Sequence, residues 1–353
     1  MNRACVLALL LVLAAPAAAA GRPAGAAQCY ASRDRVECLL ERAKSRLDRV
    51  ADVGERAEAA AELLYAQAAT GRQDAAPFAA ALALADRGDL APRREMGLLY
   101  AIDLYQFATE SPLATASYAA AAKRFRDFET LLQGRDLLEL YVGACAMLGW
   151  EESFLERWWD FVPEACNAAK LAALAEVDPA ARIQVLALLP AALTAADDWD
   201  GYTGSAEAAL VWLDGERRRK TKAAPRGESL DRIGVAIYGI NALSLDLFDQ
   251  PQAAAAAAER SRLHLRRVER RSGINGRSTP LRREVAEALF RAGREQEATR
   301  LVRQMVVRAD ADPTGRRIGL AEQVAILALA ARLADLGAVG SCPAPPPGDI
   351  KET

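Results

Sequence analysis

The sequence predicts an all-α fold, built as an α-solenoid of about six helix hairpins, and three observations support this. Alanine dominates the apolar residues of the 353-residue chain, and alanine loses no side-chain entropy on entering a helix. We find no convincing alternation of apolar and polar residues of the kind that a half-buried strand shows. Turn signals recur at intervals of about 40–50 residues with helical patterns on both sides, which is typical of stacked two-helix units.

The first predicted helix shows the periodicity most clearly. Its apolar residues fall on one stripe at helical spacing, and charged residues take the other faces. These apolar residues are Val36, Leu39, Leu40, Ala43, Leu47 and Val50. A second helix is predicted over about residues 56–70, and a third follows Gly71.

Glycine and proline mark the later turns. A glycine suits the left-handed position that ends a helix, and a proline suits the first turn of the next one. The markers are Gly71, Pro112, Gly149, Asp198, Pro251 and Gly293. Because each marker lies between helical patterns of roughly 13–20 residues, each predicts a helix boundary.

The stretch around Gly293 resembles the tetratricopeptide repeat. The repeat places a leucine-like residue, a small residue, an aromatic-like residue, a turn glycine and another small residue at fixed offsets, which Val285, Ala286, Leu289, Gly293 and Ala298 occupy here. Around Gly71 the match is partial, through Leu63, Gly71 and Ala76. The resemblance implies a tetratricopeptide-like superhelix that binds partners in a concave groove.

The chain divides into six predicted segments. Residues 1–20 form an export signal, with Arg3 before an apolar run and cleavage after Ala20, so the mature protein is expected in the periplasm or outside the cell. Residues 21–31 are a flexible segment, 32–214 an acidic first half of the array, 215–229 an exposed basic loop, 230–338 a basic second half, and 339–353 a disordered Pro-rich tail. No segment predicts a transmembrane helix.

Five cysteines remain after removal of the signal. Cys29 and Cys38 are the nearest pair, and a disulfide between them could join the N-terminal segment to the first helix in an oxidising compartment. Cys145 and Cys166 are a second possible pair. The sequence does not determine the connectivity.

Motifs for catalysis, metals and cofactors are missing from the sequence. The only histidine, His264, is followed by Arg266 and Arg267, and we interpret it as structural or surface-exposed. We find no metal-ligand spacing, phosphate loop or dinucleotide fingerprint, so we predict no enzyme, no metal and no cofactor. A cell-wall enzyme, or its helical platform, stays as an alternative because some lytic transglycosylases carry similar alanine-rich helices.

The most suggestive functional feature is a run of arginines on one predicted helix. We take Arg262, Arg266, Arg267 and Arg270 as candidate partner-binding residues, since arginine forks suit carboxylates and phosphates. Residues 21–215 hold 19 Lys/Arg against 30 Asp/Glu, and residues 216–353 hold 25 against 17. We therefore predict a scaffold that binds a protein or peptide partner with acidic groups and no nucleic acid. A structural oligomer formed by acidic-to-basic stacking, or a merely solvated basic face, are the alternatives.

Overall fold

All regular structure in the part of the chain that can be described is helical. The computed structural model describes residues 25–133 and 227–339, with a few helical positions between 136 and 218. These residues contain a 3-10 helix, ten α-helices and no strand, which confirms the all-α prediction. The predicted export signal, most of the predicted 215–229 loop, Cys145, Cys166 and nearly all of the predicted tail lie outside the described residues.

The helices fall into two groups along the chain. The first group is the 3-10 helix Ala26–Ala31 followed by α1 (Arg35–Leu47), α2 (Val53–Ala69), α3 (Ala75–Ala85), α4 (Pro92–Ala108) and α5 (Ala114–Leu131). The second group is α6 (Gly227–Leu247), α7 (Pro251–Ser272), α8 (Thr279–Arg291), α9 (Glu295–Asp310) and α10 (Leu320–Val339). None of these described helices has both the length and the apolar character that crossing a bilayer requires.

Local sequence signals fix the helix ends. The Asp34 and Asp52 carboxylates accept hydrogen bonds from backbone N–H groups in the first turns of α1 and α2, at 3.1 and 2.8 Å. Pro251 stands at the start of α7. Gly71 and Gly293 adopt φ values of 62° and 71°, which favour glycine, in the turns that end α2 and α8. The turn markers within the described residues therefore lie at helix boundaries as predicted.

The helices pack in two rows, which we name by their contacts. The first row is α6, α8, α10, α2 and α4, and each helix in it packs against the next. The second row is α7, α9, α1, α3 and α5, and each of these packs against the first-row helix in the same position. Each second-row helix except α5 also contacts the following first-row helix.

The two rows do not follow chain order, because α10 packs against α1 and α2. These helices come from opposite ends of the described chain, yet α10 and α1 are in more extensive contact than most sequential helices. Leu39 and Ala43 of α1 share one apolar core with Ile326 and Leu327 of α10, and all four are fully buried. Next to this contact, Arg46 of α1 forms an ion pair with Asp310, the last residue of α9, at 2.7 Å. The contact between α10 and α1 is not expected from the sequence, which predicted hairpins that stack in chain order.

A disulfide joins the 3-10 helix to α1. Cys29 and Cys38 are bonded, with their Cα atoms 5.5 Å apart, so the disulfide considered from the sequence is present. Ala26 and Cys29 are buried, and the 3-10 helix also contacts α9, where the Arg303 guanidinium lies 4.7 Å from the Tyr30 ring centre. Residues 26–31 thus form a packed helix where we had expected a flexible segment.

Candidate functional site

A groove of about 520 Å³ lies along the first row, and all five of its helices contribute to the lining. Residues of α2 and α10 form its middle, α4 lies on one side, and α8 and α6 lie on the other. The lining therefore combines side chains from both ends of the chain. It includes Glu62, Tyr65, Arg94, Leu243, Arg283 and Arg332.

Small residues keep the groove open. Ala59 and Ala61 of α2, Ala321 and Ala325 of α10 and Gly97 of α4 all line it. A Cβ atom added at Gly97 would meet no heavy atom of the described residues within 4 Å, so the described part of the chain leaves the space beside this glycine open. The short side chains allow another chain segment to approach the helix backbones closely.

Arg283 holds three first-row helices together at the groove wall. Its guanidinium donates to Glu62 of α2 and to Glu322 of α10, each at 2.9 Å. Burial alone would lower the pKa of Arg283, but the two carboxylates outweigh it and hold that pKa above its ordinary value. Arg283 is therefore a fixed positive charge that joins α8, α2 and α10.

Arg332 makes a second link of the same kind. It donates to Glu287 of α8, and its guanidinium lies 4.2 Å from the centre of the Tyr65 ring of α2. Burial raises the pKa of Glu287, and Arg332 more than reverses this, so that the pKa of Glu287 is lowered. The Arg332 side chain is only 10% exposed and that of Glu287 is 31% exposed, so the guanidinium side of this ion pair is largely removed from water.

The charges that line the groove balance. Four arginines and four glutamates line it, and Arg94 pairs with Glu58 at 2.8 Å at one side. Arg93 is exposed and has no ion pair among the described residues. The groove is therefore polar without a large net charge, and it offers side chains that can bind either sign of charge.

Glu284 stands beside these paired residues on α8. Its side chain is reached by solvent but lies in a crowded part of the surface, and burial raises its pKa to about 7. Glu287 and Glu322 raise that pKa further, while Arg283 opposes them. The raised pKa brings the titration of Glu284 close to neutral pH.

Arg262, the first candidate partner-binding arginine, is engaged within the protein. It pairs with Glu259 at 2.7 Å and with Glu297 at 2.9 Å, and Arg294 pairs with the same two glutamates. This ring of four residues fastens α7 to α9. Arg262 is thus a structural residue in this arrangement.

The other three candidates have different surroundings. Arg266 and Arg270 are exposed, and no ion pair among the described residues engages them. Arg267 lies 3.7 Å from the buried Asp231 carboxylate of α6. His264 is buried, with its Nδ1 2.9 Å from the same carboxylate, which agrees with a structural role for this histidine.

The groove residues are the ones that sequence reasoning missed. Arg282 and Arg283 follow the same arginine run and look like further surface cations, yet Arg282 is buried against Glu269 at 2.5 Å and Arg283 lines the groove. The Glu62 partner of Arg283 lies 221 positions away along the chain. No local spacing could have shown that pair.

Comparison with protein-family models, with curated proteins and with solved structures gives no match for this chain.

Proposed function

We propose that this protein is an exported, non-enzymatic interaction scaffold, whose groove along the first row binds an extended peptide or a helix of a protein partner. The observation that carries the proposal is the groove itself. Five helices line it, small residues leave room in it, and most of the arginines and glutamates in its walls are paired. Proteins bind ligands preferentially in concave surfaces, where polar groups fix the orientation of the ligand.

The two-row contact pattern supports an α-solenoid of tetratricopeptide-like hairpins as the scaffold. In stacked hairpins the first helix of each pair contacts its own partner and the first helix of the next pair. The described helices follow this rule from α6 through α10 and from α1 through α5. We propose that α10 and α1 act as one hairpin at the middle of the array, made from the two ends of the chain.

The groove lies along the first-row helices, which would form the concave side of the proposed solenoid. In a solenoid the small rotation between repeats makes the first helices line an extended inner surface. An extended peptide or an amphipathic helix fits a surface of this kind, because its side chains can address several repeats in turn. The balanced charges favour a partner with both acidic and basic side chains over a purely acidic one.

Export is supported by the sequence and by the disulfide. The first 20 residues have the pattern of a signal peptide. The Cys29–Cys38 bond is of the kind that persists in oxidising compartments such as a periplasm. We therefore place the scaffold in a bacterial envelope.

A groove-filling variant tests the proposal. Gly97→Leu would project a side chain into the open space of the groove, and the replacement of a helical glycine should not weaken α4. Ala119→Leu on the exposed surface of α5 is the matched control. Peptides are selected on the wild-type protein from a displayed library, and their affinities for all three proteins are measured by fluorescence anisotropy.

The expected result is at least a tenfold loss of affinity for Gly97→Leu and none for Ala119→Leu. Selected peptides that bind Gly97→Leu as tightly as the wild type would contradict the proposal that the groove is the binding site.

A further inference from the structure

Two neighbouring helices of the second row carry a strongly basic, partly apolar surface, which we call the basic face. On α7 its exposed residues are Arg260, Leu263, Arg266 and Arg270, and on α9 they are Arg300, Arg303, Val307 and Arg308. Spacings of three and four place these residues on one stripe of each helix, with Arg308 directly beside Val307 at its edge. The basic face is thus a pair of stripes on helices that pack outside the first row.

The two stripes lie side by side because α7 and α9 are tied together. The ring of Glu259, Arg262, Arg294 and Glu297 crosses between the two helices with distances of 2.7–2.9 Å in three of its pairs. Four charges in one closed network hold this pair of helices in register. The arginines of the basic face therefore act as one surface.

Almost no acidic group on these helices is left to neutralise the basic face. Glu259 and Glu297 belong to the ring, Glu269 pairs with Arg282, and Asp310 pairs with Arg46. Glu295 is the remaining exposed acid of α7 and α9. Within the described chain, no ion pair engages Arg266, Arg270, Arg300 or Arg308, so their charge faces solvent.

Large aliphatic side chains stand among these arginines. Leu263 is 41% exposed and Val307 is 55% exposed, although most large aliphatic residues of the described chain are buried. Ile274, two residues after the end of α7, is also exposed. A surface that mixes guanidinium groups with exposed aliphatic groups matches the boundary of a bilayer, where phosphates and acyl chains meet.

We propose that the basic face docks on the surface of a bilayer that contains anionic phospholipids. The guanidinium forks bind the headgroup phosphates, for which their planar pair of donors is well suited. Leu263 and Val307 enter the headgroup region beside them. An acidic protein would satisfy the arginines but gives no reason for the aliphatic groups between them. This inference uses the second row and does not depend on the proposed function of the groove.

Vesicle co-sedimentation tests the docking directly. The full-length mature protein is mixed with vesicles of phosphatidylcholine alone, or of phosphatidylcholine with phosphatidylglycerol, at low and at physiological salt. We expect binding at least tenfold stronger with phosphatidylglycerol, and weaker binding at the higher salt because counterions screen the arginines. Equal binding to both kinds of vesicle, or to neither, would overturn the inference.

Two sets of charge reversals locate the surface. The triple variant Arg266→Glu, Arg270→Glu and Arg300→Glu should lose at least tenfold in vesicle affinity. The matched triple Arg35→Glu, Lys123→Glu and Arg126→Glu changes exposed cations elsewhere by the same total charge and should lose less than threefold. An equal loss of vesicle affinity in both triple variants would show that binding depends only on the net charge of the protein. It would contradict the proposal that the basic face is the docking surface.

A double variant tests the role of the exposed aliphatic residues in vesicle binding. Leu263→Ser with Val307→Ser should weaken vesicle binding several-fold at physiological salt, where electrostatic attraction is screened. Unchanged vesicle binding in this variant, together with tight binding of soluble polyglutamate to the basic face, would indicate a binding site for an acidic protein. That result would contradict docking on a bilayer. Circular dichroism and thermal unfolding check that all variants are folded.

Discussion

The arginines of the first row and those of the basic face are the same residue type in opposite situations. Arg283 and Arg332 lie against carboxylates in the groove, and each joins helices that are distant in the chain. Arg266 and Arg270 lie on the exposed side of α7 with no ion pair among the described residues. The first pair holds the groove together, and the second pair is available to a partner.

The difference follows from the cost of removing a charge from water. A buried guanidinium is tolerated only when a carboxylate and further hydrogen bonds replace its hydration, so Arg283 and Arg332 lie against carboxylates. An exposed guanidinium has no such need and contributes little to stability. The total charge of each half of the chain therefore does not show which charges are available for binding.

The largest expected effect comes from Arg332→Ala. The change leaves Glu287 in a crowded site without its cation, and we expect the free energy of unfolding to fall by about 2–3 kcal/mol, measured by urea denaturation. The double variant Arg332→Met with Glu287→Leu removes both charges and should recover most of the loss. If Arg332→Ala lowers the free energy of unfolding by less than about 0.5 kcal/mol, the paired groove arginines stabilise the fold no more than the exposed arginines of the basic face do. That result would contradict the difference drawn between the two sets.

A matched pair of glycines tests how closely the two rows approach. In Gly234→Ala the new Cβ would lie 2.4 Å from His264 Nδ1, so the histidine must move away from Asp231, and we expect a loss of about 1–3 kcal/mol. In Gly239→Ala on the same helix the nearest atom is Ser261 Oγ at 3.6 Å, an ordinary contact. That variant should be more stable than the wild type by about 0.5–1 kcal/mol in thermal unfolding. Equal effects at both positions would contradict the packing of α6 on α7.

The next largest effect is a pH dependence of the free energy of unfolding, which we expect from Glu284 on the first-row helix α8. Burial raises the pKa of Glu284 from 4.5 to about 7, so the folded protein binds this proton more tightly than the unfolded chain does. The resulting stabilisation is complete below about pH 4.5 and is lost as the pH rises through about 7. Glu284→Gln should therefore gain stability relative to the wild type between pH 5 and pH 8. A stability difference that does not change with pH would contradict the raised pKa.

The smallest effect is expected on the basic face. Arg266→Ala and Arg270→Ala remove no described ion pair, and each should change the free energy of unfolding by less than about 0.5 kcal/mol in the same urea experiment. A loss as large as that of Arg332→Ala would show that these arginines have a structural role and would remove the basis for the docking surface.

Local patterns were enough to predict the helices. The stripe that includes Val36, Leu39 and Leu47 is buried, and the turn at Gly293 has the left-handed backbone expected of a glycine that ends a helix. Both signals act within one or two turns of a helix, where the neighbours of a residue are fixed by its spacing.

The groove could not be predicted because it depends on contacts between the two ends of the chain. Arg267 and Arg283 look alike in the sequence, but only Arg283 faces carboxylates from α2 and α10. The pairing of α10 with α1 has no local signal, since both helices show only an apolar face that some neighbour must cover. Sequence spacing gives each helix a buried face and leaves the neighbour undetermined.

Helices from the two ends of the described chain meet at one junction, where α1 packs against α10, and a crosslink across this junction tests that packing. Arg46 and Asp310 pair at 2.7 Å across this junction. Arg46→Cys and Asp310→Cys are introduced after Cys5, Cys145, Cys166 and Cys342 are replaced by Ser, and a short bismaleimide is added to dilute protein. We expect rapid crosslinking within single chains, seen as a linked pair of peptides by mass spectrometry and as a compact monomer on a denaturing gel. No crosslink, or crosslinks found only between two chains, would contradict it.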